Sequence, residues 1–306
     1  MGINLIIAVT DWDWFDALRQ QPNLSEVNFW APSAVNFRAL QPGEMFLFKL
    51  HAPRNMIAGG GIYAYSNILP CSLAWEAFQE ANGARSAQEM RDRIARYRRA
   101  SPSDRSDFDI GCRILTQPFF LDEPNWIAVP PSWSSNIVKF KTYNTDDAEG
   151  LLLWETVNAR LEQWSQHGVA EAVARYGEPH LIRPRLGQGA FRVMVTDIYQ
   201  RRCAITRERT LPALDAAHIR PYGDGGVHEA NNGLLLRRDI HSLLDAGYVT
   251  VTPDYHFEVS GRIREEFENG RDYYALHGRL ISLPEEVGKR PDVKALAWHN
   301  EHRFRG

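Results

Sequence analysis

Apolar positions in the first 140 residues change repeatedly between the period of a strand and the period of a helix. Short apolar runs that predict strands lie at 5–10, 45–51, 59–68, 109–121 and 125–130. The stretches 72–83 and 86–100 carry apolar residues at helical spacing, and each follows or begins with a serine that is a candidate helix cap. This mixed order predicts an α+β domain built around a small sheet, either curved or closed into a barrel.

A connecting segment follows this first region. Residues 143–168 begin with polar positions and then place Leu152, Val157 and Leu161 at approximately helical spacing. We interpret the segment as a loop and a connecting helix, with a boundary near residue 148. A further helix is predicted at 168–176.

Length supports more than one domain. A chain of 306 residues with 44% hydrophobic content exceeds what one core usually organises. The predicted division is an N-terminal domain at 1–147, a helical connector at 148–182 and a C-terminal domain at 183–306.

Composition sets the expected environment. Three cysteines give no disulfide framework and are typical of a reducing compartment. The apolar start lacks a preceding basic segment, so it predicts a buried strand instead of a signal peptide. No apolar stretch approaches the roughly 20 residues that span a bilayer. We therefore expect a cytoplasmic, prokaryotic protein with no membrane partner.

Residues with catalytic chemistry cluster in the second half of the chain. His218 closes an apolar run before a turn, and Asn232 precedes another apolar run. A helix predicted to begin near Asp239 carries His241 and Asp245 four residues apart, so both side chains lie on one face.

These residues resemble an HNH endonuclease, in which a two-stranded hairpin and one helix form a ββα-metal site. The resemblance rests on HIRP at 218–221, NGLLL at 232–236 and HSLLD at 241–245. It extends upstream to 183–192 and downstream to 276–284. It implies a metal-dependent endonuclease that hydrolyses phosphodiester bonds in DNA.

The chemistry explains why these residue types occur together. Phosphodiester hydrolysis requires an activated water, stabilisation of a phosphorane-like transition state and help for the leaving 3′ oxygen. An imidazole near neutral pKa can take the proton from water, which makes His218 the candidate general base. The resemblance implies a divalent cation for the other two needs, with His241 as a ligand. It also implies that Asn232 supports the hairpin and orients the base.

The sequence departs from the commonest HNH pattern at one metal ligand. The residue before the general base is usually acidic or a histidine, and here it is Ala217. Side chains two apart in a strand share a face, so Asp215 projects to the same side. We expect Asp215 and His241 as ligands, with Asp245 as a third ligand or as an orienter of His241. This donor set suits Mg2+ or Mn2+, with Ni2+ or Zn2+ tolerated.

The first region carries a second resemblance, to an EVE domain of the PUA superfamily, whose relatives include the YTH and ASCH domains. It rests on EVNFWAPSA at 26–34, the two predicted strands within 45–66, SLAWEAF at 72–78 and IGCRILTQPFFL at 110–121. The resemblance implies nucleic-acid binding, and in YTH domains a modified base sits in an aromatic cage.

A base extruded from DNA must regain stacking, which flat indole faces supply. Trp30 and Trp75 are the cage candidates, and Ser33, Asn36 and Tyr65 are candidates for polar or edge contacts with the base. The alternative for each tryptophan is core packing, because the chain has nine of them.

Charge is distributed unevenly along the chain. A net charge of −3 argues mildly against a uniformly basic surface for nucleic acid. The segment 90–100 is an exception, because its arginines predict a cationic helix suited to phosphates. The alternative is that they pair with nearby acids such as Asp92 and Asp104. The arginines predicted to contact the DNA backbone are Arg91, Arg98, Arg99, Arg185 and Arg220.

Together the two resemblances predict a modification-dependent restriction endonuclease. Its first domain would flip and inspect 5-methylcytosine or 5-hydroxymethylcytosine in double-stranded DNA, and its second domain would cut nearby. A single such site cuts one strand, so a homodimer is expected. Two alternatives stay open. One is an HNH nuclease without modification dependence, whose N-terminal domain binds RNA or a nucleotide signal. The other is a non-catalytic nucleic-acid-binding protein, which the absence of the usual ligand at Ala217 leaves open.

Overall fold

The computed structural model describes residues 2–101, 103–165 and 179–306. These residues form two compact units, Met1–Gly187 and Gln188–Gly306. The helix predicted at 168–176 lies outside the described residues. Both units combine helices and strands, so the predicted α+β class is confirmed.

The first unit contains seven strands and four helices among its described residues. The strands are β1 (Asn4–Thr10), β2 (Glu26–Asn28), β3 (Met45–Leu50), β4 (Met56–Pro70), β5 (Asp109–Phe120), β6 (Ile127–Ala128) and β7 (Phe140–Asn144). The helices are α1 (Trp12–Arg19), α2 (Cys71–Phe78), α3 (Ala87–Arg98) and α4 (Ala148–Ser165).

These strands form one open sheet in the order β2-β5-β4-β3-β1-β7, with β6 paired to β4. The β1–β3 pair is parallel, and the other pairs are antiparallel. The long strand β4 shifts register against β5 after Gly60 and again after Tyr63. Such bulges bend a strand and increase its twist. Because β2 and β7 at the two ends of this order do not pair with each other, the sheet is open and does not close into a barrel.

Strand β1 is buried on both faces, as its continuous apolar run predicts. Leu5 and Ile7 pack into one apolar cluster, which also includes Trp154 of α4. Ile6 and Ala8 point to the opposite cluster, which includes helix α1. Helix α4 therefore contributes to the core of the first unit.

The two helix caps predicted from serines have different outcomes. Ser86 precedes α3, and its hydroxyl accepts a hydrogen bond from the amide of Glu89 at 3.1 Å, as predicted. Ser72 does not cap α2, because the helix begins one residue earlier at Cys71. The Ser72 hydroxyl instead donates to the carboxylate of Asp107.

The second unit contains four strands and five helices among its described residues. The strands are β8 (Leu214–His218), β9 (Gly233–Arg237), β10 (Val249–Val251) and β11 (Phe257–Val259). The helices are α5 (Gln188–Ile198), α6 (Arg238–Asp245), α7 (Arg262–Phe267), α8 (Arg271–Tyr274) and α9 (Val293–His302).

The predicted ββα arrangement is present in this unit. Strands β8 and β9 pair antiparallel, with Ala217 opposite Leu234 and His218 opposite Gly233. Helix α6 follows β9 directly and ends before Gly247, whose φ of 78° is the left-handed conformation that favours glycine. No helix among the described residues has the length and apolar character needed to cross a lipid bilayer.

Candidate functional site

His218 is the last residue of β8, and aromatic packing fixes its ring. The ring of Phe191, from α5, stacks on it with a centroid distance of 3.8 Å and an interplanar angle of 8°. Gly233 lies opposite His218 in the hairpin. A Cβ at Gly233 would lie 2.4 Å from Val195 Cγ2 and 3.0 Å from Phe191 Cζ. Glycine is therefore needed opposite His218 for Phe191 to pack as it does.

The partner of His218 is His228, which the sequence did not single out. Nε2 of His218 lies 3.0 Å from Nδ1 of His228, a distance at which the two nitrogens share one proton. Tyr222 stacks on His228 with a centroid distance of 4.8 Å. The sequence did contain a signal for His228. This residue lies in the loop that joins β8 to β9, and a loop between two paired strands must return to the place where it began, here His218.

Burial keeps this pair of histidines uncharged near neutral pH. Burial, together with repulsion from His228 and His241, lowers the pKa of His218 to about 4. Burial also lowers the pKa of His228. A neutral imidazole is the form that can accept a proton from water.

Asn232 holds the loop between the hairpin strands. Its side chain is 4% exposed and lies at the end of that loop, just before β9. Its Oδ1 accepts from the Arg220 amide at 2.9 Å. Its Nδ2 donates to the carbonyl oxygens of Arg220 and Val227, both at 2.9 Å. Because Val227 precedes His228, these bonds position the partner of His218.

His241, on α6, lies between two carboxylates. Its Nδ1 is 3.3 Å from Asp215 Oδ2, and its Nε2 is 3.4 Å from Asp245 Oδ2. Burial opposes a charge on His241, but the hydrogen bond with Asp215 and the charge of Asp245 outweigh it and raise its pKa. Burial likewise opposes ionisation of Asp215, yet His241 and Arg192 together lower its pKa. The structure thus brings all three candidate ligands together.

The donor set fits a divalent cation in its chemistry, since carboxylate and imidazole suit Mg2+, Mn2+ and related ions. The two carboxylates face opposite nitrogens of one ring, so a cation at one nitrogen leaves the other carboxylate as an orienter of the imidazole. Among the described residues, no group of three or more such side chains is already arranged around one point. Ala217 is fully buried in the apolar core, and Asp215 is the carboxylate of β8 that reaches His241.

The arginines predicted to contact DNA differ in their surroundings. Arg91 donates to the carbonyl oxygens of Asp104 and Ser106, so its partner is the backbone of Asp104 and not the predicted carboxylate. Arg98 donates to the carbonyl oxygens of Pro32 and Asp109. Arg220 donates to the Asp224 carbonyl oxygen and lies over the Trp298 ring. Arg99 and Arg185 are exposed.

The first unit contains a cavity of about 600 Å³. Aromatic rings form much of its wall, namely those of Trp14, Phe29, Trp30, Phe37, Phe46, Tyr97 and Phe140. The indole N–H of Trp30 donates to the Asn82 carbonyl oxygen at 3.0 Å, which fixes the ring. Ser33 and Asn36 also line the cavity.

The cavity does not include every residue predicted for a base cage. Trp75, half-buried on α2, and Tyr65, on β4, are not among the residues that line it. Polar residues that the sequence did not indicate are present instead. The carboxylate of Asp11 accepts from the hydroxyl of Tyr97 and lies 3.2 Å from Nε2 of His51. Asp11 follows β1, His51 follows β3 and Tyr97 lies on α3, so only the packing of α3 beside the sheet brings these three residues together.

Comparison with known proteins supports one part of the chain directly. Residues 203–252 match the model of the HNH endonuclease family. This segment contains the hairpin, its loop and helix α6. No curated protein matches the chain.

Solved structures resemble the chain only weakly. Two structures of mutants of the ZmASCH protein from Zymomonas mobilis cover 50% of this chain, and 97% and 95% of their own, at 8% identity and TM-scores of 0.34 and 0.33. The modification dependent TagI restriction endonuclease covers 97% of this chain and 81% of its own, at 11% identity and a TM-score of 0.30. TM-scores this low do not establish a common fold.

The family match and the ββα geometry coincide on the same residues. The chain therefore carries an HNH endonuclease domain within residues 203–252, and this domain implies nuclease activity on DNA.

Proposed function

We propose that the chain is a modification-dependent restriction endonuclease, whose first unit reads a modified cytosine and whose second unit hydrolyses the DNA nearby. The observation that carries the proposal is the aromatic-walled cavity of about 600 Å³ in a chain that also carries an HNH hairpin. Its volume falls within the roughly 300–1,000 Å³ of small-ligand sites. The modification proposed is 5-methylcytosine or 5-hydroxymethylcytosine.

Trp30 supports base flipping as the mode of reading. Its ring is held by the hydrogen bond to Asn82 and by an edge contact with Tyr97 at a centroid distance of 6.5 Å. Stacking on a fixed aromatic ring is worth about 1–3 kcal/mol per base, which offsets part of the cost of unstacking. Asp11 offers a carboxylate to the N–H groups of the base edge. Ser33 and Asn36, both exposed, supply further polar contacts.

The chemical step is assigned to the residues around His218. Nδ1 of His218 carries a free lone pair only when Nε2 of the same ring carries the proton. Nε2 then donates a hydrogen bond to Nδ1 of His228. The water oxygen then bonds to phosphorus, its proton passes to Nδ1 of His218, and the bond from phosphorus to the 3′ oxygen breaks. Asn232 keeps His228 in place through the backbone of Val227.

His241, with Asp215 or Asp245, would hold the divalent cation, Mg2+ or Mn2+. When bound, this cation supplies positive charge to the scissile phosphate and the leaving 3′ oxygen. The protein's own contribution is to keep His241 between two carboxylates. Those carboxylates orient its ring, and His241 and Arg192 together favour an ionised Asp215.

The finer division of the chain belongs to the same proposal. We assign an EVE-like reading domain to residues 1–147, a connector to 148–182 and the nuclease to 183–306. Helix α4 of the connector shares the core of the first unit through Trp154. Because one HNH site cuts one strand, a homodimer would cut both strands of the DNA.

Digestion of matched plasmids tests the proposal. The plasmids carry cytosine, 5-methylcytosine or 5-hydroxymethylcytosine, and each is incubated with Mg2+ or Mn2+. We expect cleavage of modified DNA, and a loss of about 10²–10⁴ in rate for His218→Ala. Equal cleavage of all three plasmids would favour the nuclease without modification dependence. An unchanged rate in His218→Ala would show that the general base is assigned wrongly.

A further inference from the structure

One cation in the wall of the cavity has a buried nitrogen for which the described residues supply no acceptor. Arg113 lies on β5 and lines the cavity, with its guanidinium over the Phe37 ring at 4.9 Å. Its Nε is buried, and no hydrogen-bond partner for it is found among the described residues. Arg91 and Arg98, in contrast, donate to backbone carbonyl oxygens of neighbouring segments.

An arginine in this position is costly unless a ligand supplies an acceptor. Burial lowers the pKa of the Arg113 guanidinium, which means that its charged form is poorly solvated. A buried donor without an acceptor destabilises a fold, and a buried charge does so more strongly. Arg113 is therefore better explained by an oxygen-bearing ligand than by a structural role.

The other charged residues of the cavity indicate which part of the ligand carries the oxygen that accepts from Arg113. Asp11 already has Tyr97 and His51 as partners. Arg38 and Lys139 line the cavity and are exposed, so they are suited to phosphates of a DNA strand outside it. Arg113 is less exposed and packs on a buried phenylalanine, which favours contact with the inserted base itself.

We propose that Arg113 donates to an oxygen on the C5 substituent of the inserted cytosine, so that the cavity prefers oxygenated substituents over methyl. This inference rests on the proposed function. A carboxyl group matches the planar fork of a guanidinium with two parallel hydrogen bonds, and a hydroxymethyl group offers one acceptor. A methyl group offers none and leaves the buried Nε without an acceptor. The order of affinity follows as carboxyl, then hydroxymethyl, then methyl.

Binding of the full chain to DNA in EDTA tests this order without cleavage. Fluorescence anisotropy is measured on duplexes that carry one cytosine, 5-methylcytosine, 5-hydroxymethylcytosine or 5-carboxylcytosine. We expect the wild type to bind the carboxyl duplex at least about tenfold more tightly than the methyl duplex, since a single charge-assisted hydrogen bond already implies that factor. Arg113→Met should abolish this difference, measured as the ratio of the dissociation constants of the two duplexes. Arg113→Lys should keep part of it, because the charge remains and the fork is lost.

Thermal unfolding separates a binding role from a structural one. Arg113→Met removes a poorly solvated charge, so its unfolding temperature should equal or exceed that of the wild type. Arg91→Met is the matched control, since it removes donors to two carbonyl oxygens and should lower the unfolding temperature.

Three results would overturn the inference. Equal weakening of all four duplexes in Arg113→Met would assign the residue to a backbone phosphate. Wild-type binding that is tightest for the methyl duplex would reject the role of Arg113 and leave the proposed function intact. Equal wild-type affinity for modified and unmodified duplexes would reject the proposed base reading as well.

Discussion

Nε2 of His218 lies 3.0 Å from Nδ1 of His228, so the protonation of one ring fixes that of the other. A proton on His218 Nε2 leaves Nδ1 of that ring free to act as a base, and it requires His228 to accept at Nδ1. The arrangement in which His228 accepts is therefore the one that leaves His218 able to take a proton from water.

Replacing His228 should slow cleavage without weakening DNA binding. We expect His228→Phe to lower the rate constant of cleavage about tenfold to hundredfold, as loss of an orienting partner commonly does, with KM little changed. His228→Asn, whose carbonyl oxygen can accept from Nε2, should recover part of the rate. His256→Phe is the control, because His256 is an exposed histidine of the same unit. Equal rates for the two phenylalanine variants would remove His228 from the mechanism.

The lowered pKa of His218 predicts an acid-sensitive fold. The pKa of His218 is about 4 in the folded protein, below its ordinary value of 6.5, so between these values the unfolded chain binds more protons. Stability should then fall as the pH falls from about 6.5 to about 4. Thermal unfolding in EDTA across this range should show a shallower loss in His218→Gln than in the wild type. Parallel curves for the two proteins would contradict the assignment.

Asp215 and Asp245 should differ in their effect on metal binding. The Asp215 side chain is 32% exposed and the Asp245 side chain 60%, so we expect Asp215 to be the more strongly engaged carboxylate. Asp215→Asn should weaken Mn2+ binding about tenfold to hundredfold, and Asp245→Asn should have a smaller effect. The shift of unfolding temperature with Mn2+ concentration measures both, and Asp254→Asn, at an exposed turn, serves as the control. A larger effect at Asp245 would reverse the two roles.

Trp30 and Trp75, the two cage candidates, provide a test variant and its control. Trp30 lines the cavity and Trp75 does not. Trp30→Ala should reduce the preference for modified over unmodified duplex about tenfold, because one stacking platform is lost. Trp75→Ala should keep the preference of the wild type. The measurement is the ratio of the dissociation constants for the two duplexes in EDTA. An unchanged ratio in Trp30→Ala would exclude that ring from the cage.

Gly233→Ala should destabilise the second unit. The added Cβ would lie 2.4 Å from Val195 and 3.0 Å from Phe191, and overpacking of this kind typically costs about 1–3 kcal/mol. Gly261→Ala is the control, since a Cβ there meets nothing within 4 Å and the backbone φ is −57°. Urea denaturation measures both variants, and equal midpoints would show that the contact with Phe191 is easily relieved.

Much of the secondary structure could be predicted because it depends on local patterns. The apolar run at 5–10 is strand β1, Asn4–Thr10, and the run before His218 is strand β8. Helix α6 begins at Arg238, one residue before the predicted start. Periodicity and turn residues are read within a few positions, so they determine elements of this length.

Partners that lie far apart in the sequence were harder to predict. Asp11 meets Tyr97 only because α3 lies beside the end of β1, and no local pattern encodes that contact. Arg113 looks like any partly exposed strand residue until its missing partners become visible in three dimensions. Trp75 is a cage candidate because it is an aromatic residue on a helix. Residue type does not determine, however, which side of the helix points toward the cavity.

The three hydrogen bonds of Asn232 have a consequence for how the nuclease meets its substrate. They join the backbone at Arg220 and at Val227, near the two ends of the hairpin loop, to one buried amide. The loop is therefore held rigidly on the strands. The spacing of the two histidines is then set during folding, before any DNA arrives. Such preorganisation spares the protein a rearrangement at the moment of reaction, which is a general source of catalytic power in enclosed sites.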